Sequence, residues 1–486
     1  MSRLSEGLKI DSVYRSVVEA PVVADVDVLV AGGGTAGCVA ALAAARNGAE
    51  VLLVERYGYL GGMMTEGHAG LTMFMGYPGD RTVDQFAEAL KKLRENPSEV
   101  QVVGGIPLEI ANRLIELGAG IGTGGQAGTY VTTNTEAFKA LLFSMMEEAG
   151  VMLLLHSWIA DVIVEENALR GVVVENKSGR QALLAKVVVD ATGDGDVAAK
   201  AGAPYNMGVG PSDISAKEGI PVGTMQGMGK MYIYGNVDVE RLFDYLRKHP
   251  DEYAPAWTTF QRLENAYESF LKGDMFVVSM PKHKLWFHSL PIPRALGTAG
   301  CGTRGNGLSA PDLTKAEVEC RKRLMEQLAY LKERIPGFED AYLMSTPPMF
   351  ARETRHILGE YVLTVEDLFE SREFGDGIGR GGHPIDSSPV PESLKKRMWT
   401  SLSPNWSHSI PYRSLVPLKV NNLLVAGKCI SATHEAYGCI RPTAQCMVIG
   451  QAAGTAAALS VKNKVKPRHL DIEELRKVLK EQGVIL

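Results

Sequence analysis

Close to its start the chain reads Val26-Asp27-Val28-Leu29-Val30-Ala31-Gly32-Gly33-Gly34-Thr35-Ala36-Gly37. An apolar run ends here in glycines, and an alanine-rich segment follows at once, which is typical of a strand that turns into a helix. A second apolar run, Val51–Val54, ends in Glu55. The pattern predicts a βαβ unit with a glycine fingerprint at its first turn and an acid about 20 residues further on.

The glycines and the acid each have a physical role in holding a dinucleotide. We expect Gly32 to make the tight turn, Gly34 to leave room for a pyrophosphate, and Gly37 to let helix and strand pack closely. The helix N-terminus offers N–H groups and a positive dipole end to phosphate. Glu55 can accept hydrogen bonds from both hydroxyls of an adenosine ribose. The opening segment therefore predicts a dinucleotide site.

The same glycine spacing occurs three more times, in contexts that do not favour nucleotide binding. None of these matches follows an apolar strand or opens a helix, so we expect glycine-rich loops there. They are Gly120/Gly122/Gly125, Gly300/Gly302/Gly305 and Gly377/Gly379/Gly382.

Length, charge and cysteine content narrow the class of protein. The 486 residues are enough for about three domain-sized units. A net charge of −5 with interspersed signs disfavours a nucleic-acid partner. We expect no signal sequence and no apolar stretch near the ~18 residues that cross a bilayer, hence a cytoplasmic protein without a membrane partner. Six cysteines without any Cys-x-x-Cys argue against a disulfide framework, a zinc site or a dithiol redox pair.

The strand and helix pattern returns in two later parts of the chain. After a helix that begins at Thr135, short apolar runs at 161–164, 171–175 and 181–184, separated by turns, predict an antiparallel meander. The meander leads to a further strand at 187–190, which runs into Ala191-Thr192-Gly193-Asp194-Gly195-Asp196. Residues 422–427 predict a strand that ends in glycine, and a small-residue helix follows from Thr443.

The remaining stretches lose this alternation. We expect helices at 81–93 and 108–117, a loop at 118–128, and a region rich in aromatics and prolines between 205 and 410. The fold class is therefore α/β, with a Rossmann-like domain, a central parallel sheet, a meander and an inserted mixed α+β substrate domain. The nucleotide-binding domain is predicted at 1–75, 130–204 and 411–486, and the substrate or cap region at 76–129 and 205–410.

Taken together, three blocks resemble the FAD-dependent oxidoreductases of glutathione-reductase-like fold. They are the opening fingerprint with Glu55, the segment from Asp190 to Asp196, and Leu424-Val425-Ala426-Gly427 with its following helix. Within that family the closest similarity is to the bacterial group related to fumarate-reductase flavoproteins. The segments 352–355 and 430–436 also resemble stretches of that group. The resemblance implies an FAD cofactor and an oxidoreductase activity, and it leaves the substrate open.

The resemblance also assigns cofactor residues. The pyrophosphate and ribose would contact the opening unit, at Gly32, Gly34, Thr35, Ala36, Gly37, Glu55 and Arg56. The flavin would lie along a glycine loop, at Gly61, Gly62 and Met63. Later blocks would supply the other contacts, at Ala191, Thr192, Gly193, Asp194, Gly427 and Thr443. The helix from Thr443 would point its N-terminus at the flavin, where Arg441 and the helix dipole could stabilise the negative charge of the reduced state.

Two features of relatives are not expected here. The disulfide reductases need a redox pair of cysteines, and this chain has none at suitable spacing. Covalent flavin attachment through histidine would fall to His68, but its offset from Gly61-Gly62 does not match the succinate-dehydrogenase arrangement. We therefore expect non-covalent FAD.

Hydride chemistry often needs a base, and histidine is the usual candidate. We place His434 first, because it lies between two cofactor blocks, and His68 and His383 after it. His434 could instead be a histidine that is hydrogen-bonded within its loop.

The segment Arg352-Glu353-Thr354-Arg355-His356 carries two arginines three residues apart. Such a pair suits a clamp on a carboxylate or another polar group of a substrate. Ion pairs with Glu353 or Glu360 are the structural alternative. Arg355 therefore joins His434 and Arg441 as a candidate catalytic residue.

Two classes of function follow. The first is an FAD-dependent oxidoreductase that transfers a hydride between a small or medium polar organic substrate and flavin N5. The alternative is a non-redox flavoprotein, an isomerase or lyase that uses its flavin structurally or transiently. No metal is expected, the partner is a small molecule, and association into homo-oligomers stays open.

Overall fold

The opening segment folds into the expected βαβ unit. The computed structural model describes residues 18–77, 83–255, 261–401 and 405–486, with the backbone alone at 83–86, 124 and 398–401. The first two strands are parallel and pair Val28 with Val51 and Ala31 with Val54. The helix between them is buried along most of its length, as its alanine-rich sequence predicts. The predicted helix at 81–93 begins outside the described residues and is observed from Val83 to Glu95.

The elements are labelled in chain order. The strands in the described residues are β1 (Val22–Ala31), β2 (Val51–Val54), β3 (Leu71–Thr72), β4 (Gly120–Gly122), β5 (Tyr130–Thr133), β6 (Met152–Leu154), β7 (Trp158–Glu165), β8 (Ala168–Asn176), β9 (Gly179–Asp190), β10 (Tyr205–Met207), β11 (Met228–Gly235), β12 (Val277–Met280), β13 (Leu285–Ser289), β14 (Leu296–Thr303), β15 (Tyr342–Ser345), β16 (Phe350–Ala351), β17 (Arg355–Ile357), β18 (Gly377–Gly381), β19 (His408–Pro411) and β20 (Leu423–Val425). The α-helices there are α1 (Thr35–Arg46), α2 (Val83–Glu95), α3 (Gly105–Glu116), α4 (Thr135–Ala149), α5 (Asp196–Lys200), α6 (Ile214–Lys217), α7 (Val239–Lys248), α8 (Leu263–Lys272), α9 (Ala310–Arg334), α10 (Val365–Phe369), α11 (Glu392–Ser401), α12 (His434–Ile440), α13 (Thr443–Lys462) and α14 (Ile472–Glu481).

The main sheet is α/β in character, which confirms the predicted fold class. Its strand order is β6-β2-β1-β9-β8-β7, and β20 also pairs with β9. The pairs of β1 with β2 and β9, of β2 with β6, and of β9 with β20 are parallel. The register places Val54, Ala31, Asp190 and Val425 side by side. The carboxyl ends of these strands therefore share one edge, where ligands bind in open parallel sheets.

The meander is present, but its last strand is longer than expected. The sequence predicts separate strands at 181–184 and 187–190, whereas β9 runs without a break from Gly179 to Asp190. No glycine or proline interrupts it, so nothing in the backbone ends the first strand. The N-terminal half of β9 pairs with β8 and its C-terminal half pairs with β20, which joins the meander to the parallel part of the sheet.

The first two glycines of each extra triplet lie in a strand and not in the predicted loop. Gly120 and Gly122 lie in β4, Gly300 and Gly302 in β14, and Gly377 and Gly379 in β18; each strand pairs antiparallel with a neighbour. Close backbone approach explains glycine at Gly122, where a Cβ would lie 1.8 Å from the Gln126 oxygen. The expected loop at 118–128 accordingly contains β4.

Two buried helices pack face to face behind the parallel sheet. On α13, a Cβ at Gly450 would lie 2.2 Å from the Ala36 oxygen, and one at Gly454 would lie 2.0 Å from the Ala40 oxygen. Glycine therefore lets the backbones of α1 and α13 touch. Contrary to the expectation from sequence, α13 is long and apolar enough to cross a membrane, but 94% of its most apolar window is buried inside the protein.

A second hydrophobic core lies in residues 228–351. It packs α7, α8 and α9 against an antiparallel sheet of order β12-β13-β14-β11-β15. The core of the main sheet also takes in side chains from the predicted cap region, such as Ile106, Ile110, Ile378 and Ile410. The domain boundaries drawn from the sequence thus stay a prediction, and the second core is narrower than the stretch 205–410.

Candidate active site

A cavity of about 460 Å³ opens at the carboxyl edge of the parallel strands. The turns that follow β1, β2, β9 and β20 all contribute to its wall, because the strand register brings them together. The opposite wall comes from the second core region, with Leu308 and the segment from Pro347 to Ala351. The cavity thus lies between the nucleotide-type domain and the inserted region.

The first turn has the geometry that its glycines predict. Gly32 adopts a left-handed φ of +98°, and a Cβ there would lie 2.7 Å from the Ala191 oxygen. At Gly37 a Cβ would lie 1.8 Å from the Gly32 oxygen, so this glycine serves helix packing and does not line the cavity. Gly34 lines the cavity and a Cβ there would meet no protein atom within 4 Å. Helix α1 has no side-chain N-cap, which leaves its first N–H groups for a ligand.

Glu55 lies at the end of β2 with its carboxylate fixed by the backbone. Its two oxygens accept hydrogen bonds from the N–H groups of Gly33 (2.7 Å) and Tyr57 (2.9 Å). Burial raises its pKa, and these N–H groups act in the opposite direction. The carboxylate retains lone pairs that can accept ribose hydroxyls.

The guanidinium of Arg56 and the indole ring of Trp158 lie next to each other in the cavity wall. The Arg56 guanidinium lies 5.2 Å from the ring centroid of Trp158, a tryptophan that is 54% exposed. Both side chains line the cavity beside Glu55. An exposed aromatic surface at this position can stack against a base.

The turn after β9 carries two aspartates with different roles. Asp190 is fully buried and accepts hydrogen bonds from Thr192 and from the Ala198 N–H, so it shapes the turn; burial raises its pKa to about 6. Asp194 lines the cavity, and its Oδ1 accepts from Thr354 Oγ1 and from Lys428 Nζ, both at 2.7 Å. Burial acts to raise the pKa of Asp194, but the Lys428 ammonium outweighs it and the pKa is lowered. Asp194 is therefore a charged acceptor at the cavity wall.

The loop after β2 approaches the first turn closely. A Cβ at Gly62 would lie 3.1 Å from the Gly34 Cα, and Gly62 and Met63 line the cavity. Gly61 does not line it; its N–H donates to the Gly33 oxygen at 2.8 Å and so ties the loop to the first turn.

Helix α13 directs its N-terminus at the cavity. Thr443 lines the cavity, and its hydroxyl accepts from the Thr72 N–H at 2.9 Å. The residue before the helix is Pro442, which provides no side-chain cap. Arg441 also lines the cavity and donates to the side chain of Asp386 and, at 3.0 Å, to its backbone oxygen. The positive end of the helix and a guanidinium therefore meet at one place.

Most of the predicted cofactor residues come together at this cavity. The predicted residues that line it are Gly32, Gly34, Thr35, Ala36, Glu55, Arg56, Gly62, Met63, Ala191, Thr192, Gly193, Asp194, Arg355, Gly427, Arg441 and Thr443. The structure does not bring Gly37, Gly61 or His434 to it.

The prediction of His434 as a base is wrong for this structure. His434 is 0% exposed, its Nδ1 lies 2.7 Å from Glu353 Oε1, and its Nε2 lies 2.9 Å from the Pro389 oxygen. Because a carbonyl and a carboxylate both accept, the two ring nitrogens both donate, and no lone pair is free to take a proton. Burial alone would lower its pKa, but the bond to Glu353 outweighs burial and raises it. His434 is a charged partner in a buried network that also contains His356.

The other predicted candidates are also engaged or distant from the cavity. Arg355 is ion-paired, but with neither of the glutamates expected from sequence: Nη1 donates to Asp196 at 2.8 Å and to the Asp194 backbone oxygen at 2.9 Å. Burial lowers the pKa of His68 to about 4, and its ring nitrogens lie 3.0 Å from Thr135 Oγ1 and 2.7 Å from Ser345 Oγ. His383 is buried, with Nδ1 2.6 Å from the Pro384 oxygen. Neither histidine lines the cavity.

Sequence reasoning missed several residues of the wall. Lys428 lines the cavity and directly follows the predicted Gly427. Its position one residue after a glycine that ends a strand could have indicated that it belongs to the site. Trp158 follows β6, whose register with β2 is not visible in the sequence. Leu308, Met349 and Phe350 come from the inserted region, which carries no recognisable motif.

The fold and this cavity define a dinucleotide-binding enzyme of the Rossmann type. The sequence profile of the FAD dependent oxidoreductase family matches residues 27–479, so the chain belongs to that family and FAD is its cofactor. The general identification made from the three sequence blocks is thereby confirmed. No match was found among curated proteins.

Solved structures overlap with most of the chain at low sequence identity. A geranylgeranyl bacteriochlorophyll reductase-like protein from Thermoplasma acidophilum has 14% identity and a TM-score of 0.41, with 94% of this chain and 84% of that chain covered. A flavin-dependent brominase has 13% identity and a TM-score of 0.42, with 94% and 83% covered. The p-nitrophenol 4-monooxygenase from Pseudomonas putida has 14% identity and a TM-score of 0.39, with 94% of this chain and 81% of that chain covered. Overlap of this extent carries no conclusion about the substrate.

Proposed function

We propose that the chain transfers a hydride between a small or medium polar organic substrate and N5 of FAD that is bound without a covalent bond. One observation carries the proposal: two glycine turns, Glu55 and the uncapped N-termini of α1 and α13 converge on one cavity. Each of these features recognises a different part of a flavin dinucleotide.

The residues present fit this cofactor. Gly34 leaves open space where any side chain would enter the cavity, beside the free N–H groups of α1. Glu55 is fixed by two backbone N–H groups with lone pairs to spare for a ribose. Asp194, held by Lys428 and Thr354, adds a charged acceptor for further hydroxyls.

When bound, FAD supplies the hydride acceptor or donor. Around it, the chain would hold the pyrophosphate at α1 and the ribose at Glu55. The N-terminus of α13 and Arg441 would place positive charge where electron density accumulates on reduction. Leu308, Met349 and Phe350 form an apolar wall that would limit access of water to the substrate side.

We assign no side chain as the base. Among the residues that the structure describes, no histidine lines the cavity, and His434 has both ring nitrogens engaged. The substrate-side role predicted for Arg355 is replaced by its ion pair with Asp196.

The finer identification also belongs to this proposal. We propose that the chain is related to the fumarate-reductase group, which the segments at 352–355 and 430–436 support. We also propose that the protein is cytoplasmic and acts on a small molecule, without a nucleic-acid or membrane partner. The small net charge supports the absence of a nucleic-acid partner, and the buried position of α13 supports the absence of a membrane partner.

The cofactor part is tested by acid precipitation of the purified protein. We expect a yellow supernatant that contains FAD, because no cavity-lining histidine offers a covalent attachment point in the described residues. Flavin that stays in the washed pellet would contradict non-covalent binding. A colourless protein that binds only NAD would contradict the whole proposal.

The redox part is tested by anaerobic titration with candidate substrates or reductants. Net hydride transfer bleaches the oxidised flavin spectrum in proportion to the substrate added. Turnover of a substrate without bleaching at any time would favour the alternative, a non-redox isomerase or lyase.

A further inference from the structure

Residues 347–351 form a continuous part of the cavity wall, which we call the wall segment. Its first three residues, Pro347-Pro348-Met349, lie between β15 and β16. Proline has no N–H, so Met349 provides the one backbone donor of these three. The Pro347 oxygen accepts from Lys230, and the Met349 N–H donates to Glu317. No other backbone hydrogen bond of these three residues is found in the described part of the chain.

Lys230 and Glu317 form a buried ion pair behind the wall segment. The Lys230 side chain on β11 is fully buried, and its Nζ lies 2.5 Å from Glu317 Oε2. Glu317 is on α9, and its other oxygen, Oε1, accepts from the Met349 N–H at 2.5 Å. The two side chains therefore hold the wall segment at two backbone groups, the Pro347 oxygen and the Met349 N–H.

Fold stability alone does not explain this pair. Removing two charges from water is costly, so well-packed apolar side chains of similar volume are often as stable as a buried ion pair or more stable. Burial accordingly lowers the pKa of Lys230, and the contact with Glu317 acts in the opposite direction. Glu317 also has Arg321 as a second partner, so its charge does not depend on Lys230. What an apolar pair could not provide is directed hydrogen bonds to the backbone of the wall segment.

The surface that the pair holds in place is apolar. Every residue of the wall segment lines the cavity, and none has a charged, hydroxyl or amide side chain. Leu308 and Leu313 extend the same surface. The turns that carry the predicted cofactor residues lie on the other side of the cavity. An apolar surface in this position favours contact with an apolar group, because the contact removes both from water.

We infer that the wall segment binds an apolar group of the organic substrate and that Lys230 and Glu317 are positioning residues that fix this segment. Neither side chain lines the cavity, so both act through the backbone that they hold. The inference rests on the proposed function, which puts the substrate in this cavity. The polar part of the substrate would then face the opposite wall.

Calorimetric titration of the purified full chain tests the apolar surface. The probes are benzyl alcohol and cyclohexanol, and glycerol is the polar comparison. We expect at least one of the two alcohols to bind, and glycerol not to bind. Lys230→Met should weaken the binding of that alcohol by about fivefold or more, which is the effect of losing one hydrogen bond that holds the surface.

The same variant separates positioning from fold stability. Lys230→Met leaves Glu317 paired with Arg321 and leaves no buried charge without a partner, so the melting temperature should not fall. Exchange of the Met349 amide hydrogen, followed by mass spectrometry, should become faster by about tenfold, because Glu317 is then free to turn toward Arg321. Lys315→Met is the matched control, an exposed lysine on α9 that pairs with Glu319. It should change neither the exchange nor the binding.

Several outcomes would overturn the inference. The apolar surface is wrong if neither alcohol binds or if glycerol binds as tightly. The positioning role is wrong if a folded Lys230→Met protein keeps the alcohol affinity and the Met349 exchange rate of the wild type. It is also wrong if Lys230→Met lowers the melting temperature or does not fold, since the pair then serves the stability of the fold.

The flavin content of the same samples, measured by absorbance, separates this inference from the proposed function. Heat of alcohol binding can be measured whether or not FAD is retained. A protein without flavin whose alcohol binding depends on Lys230 would contradict the proposed function and keep the apolar surface. A yellow protein whose flavin is bleached by a substrate but which binds neither alcohol would do the reverse.

Discussion

At the scale of single residues, Glu55 follows the end of β2 and lies in the cavity where we propose that the ribose of FAD binds. Its carboxylate is fixed by the N–H groups of Gly33 and Tyr57 and lines the cavity. Replacing it with glutamine removes the charge that strengthens a hydrogen bond from a ribose hydroxyl, an effect of about 1.5–3 kcal/mol. We expect Glu55→Gln to weaken FAD binding by about tenfold or more. Titration of apoprotein with FAD, followed by fluorescence, measures this.

The matched control is Glu50→Gln, an exposed glutamate just before the other end of β2. It should leave FAD affinity unchanged. Equal affinities for wild type and Glu55→Gln would show that Glu55 does not bind the ribose.

A second residue-scale prediction concerns the buried pair of Glu353 and His434. Burial opposes the charge on each, but the hydrogen bonds from His356 and then His434 lower the pKa of Glu353 to about 2, and the bond to Glu353 raises the pKa of His434. His434→Ala leaves the Glu353 charge with one fewer partner, and breaking a buried pair costs about 3–5 kcal/mol. We expect a loss of that order in the free energy of unfolding in urea near pH 5.5.

The sign of the pH dependence follows from these shifts. The contribution of Glu353 is present above its ordinary pKa of 4.5 and is lost as the pH falls toward about 2. That of His434 is present below 6.5 and is lost as the pH rises through its raised pKa. The difference between wild type and His434→Ala should therefore be largest between about pH 4.5 and 6.5. His469→Ala, at an exposed histidine, should show no such maximum. A pH-independent difference would contradict the charged pair.

At the scale of elements, the contact between α1 and α13 holds two helix N-termini at the same cavity. A Cβ at Gly454 would lie 2.0 Å from the Ala40 oxygen, so Gly454→Ala must push the helices apart. Overpacking of this kind typically costs about 1–3 kcal/mol. We expect a lower melting temperature together with weaker FAD binding, because α1 moves relative to the cavity. Gly375→Ala, where a Cβ would meet nothing within 4 Å, is the control. Unchanged melting in Gly454→Ala would mean that the helix contact is looser than observed.

The elements also show what the sequence can and cannot predict. The βαβ unit, the meander and the helix from Thr443 were predictable, because periodicity and glycine turns are local signals. The strand at Gly377–Gly381 was not, since a glycine triplet in a strand looks like a loop until its partner β19 is known. The pairing of His434 with Glu353 spans 81 positions and that of Arg355 with Asp196 spans 159. Such contacts are set by tertiary structure and leave no local pattern.

At the scale of the whole molecule, the cavity joins two hydrophobic cores. One wall comes from the main sheet and the other from Leu308 and the segment from Pro347 to Ala351. A ligand that fills it would contact both regions. Because FAD would bind the folded state alone, it should stabilise that state by RT ln(1 + [FAD]/Kd), about 2.7 kcal/mol at a hundredfold excess over Kd.

We therefore expect the melting temperature of apoprotein to rise continuously with the logarithm of FAD concentration above Kd. Differential scanning fluorimetry over a series of FAD concentrations measures the slope, and the Kd comes from the separate fluorescence titration. Glu55→Gln should show the same slope displaced to higher FAD concentration, since the variant changes affinity and not the linkage relation. Gly375→Ala should overlay the wild-type curve. A melting temperature that stays constant while the titration reports saturation would mean that FAD binds the unfolded chain equally well, which would contradict a site formed by two cores.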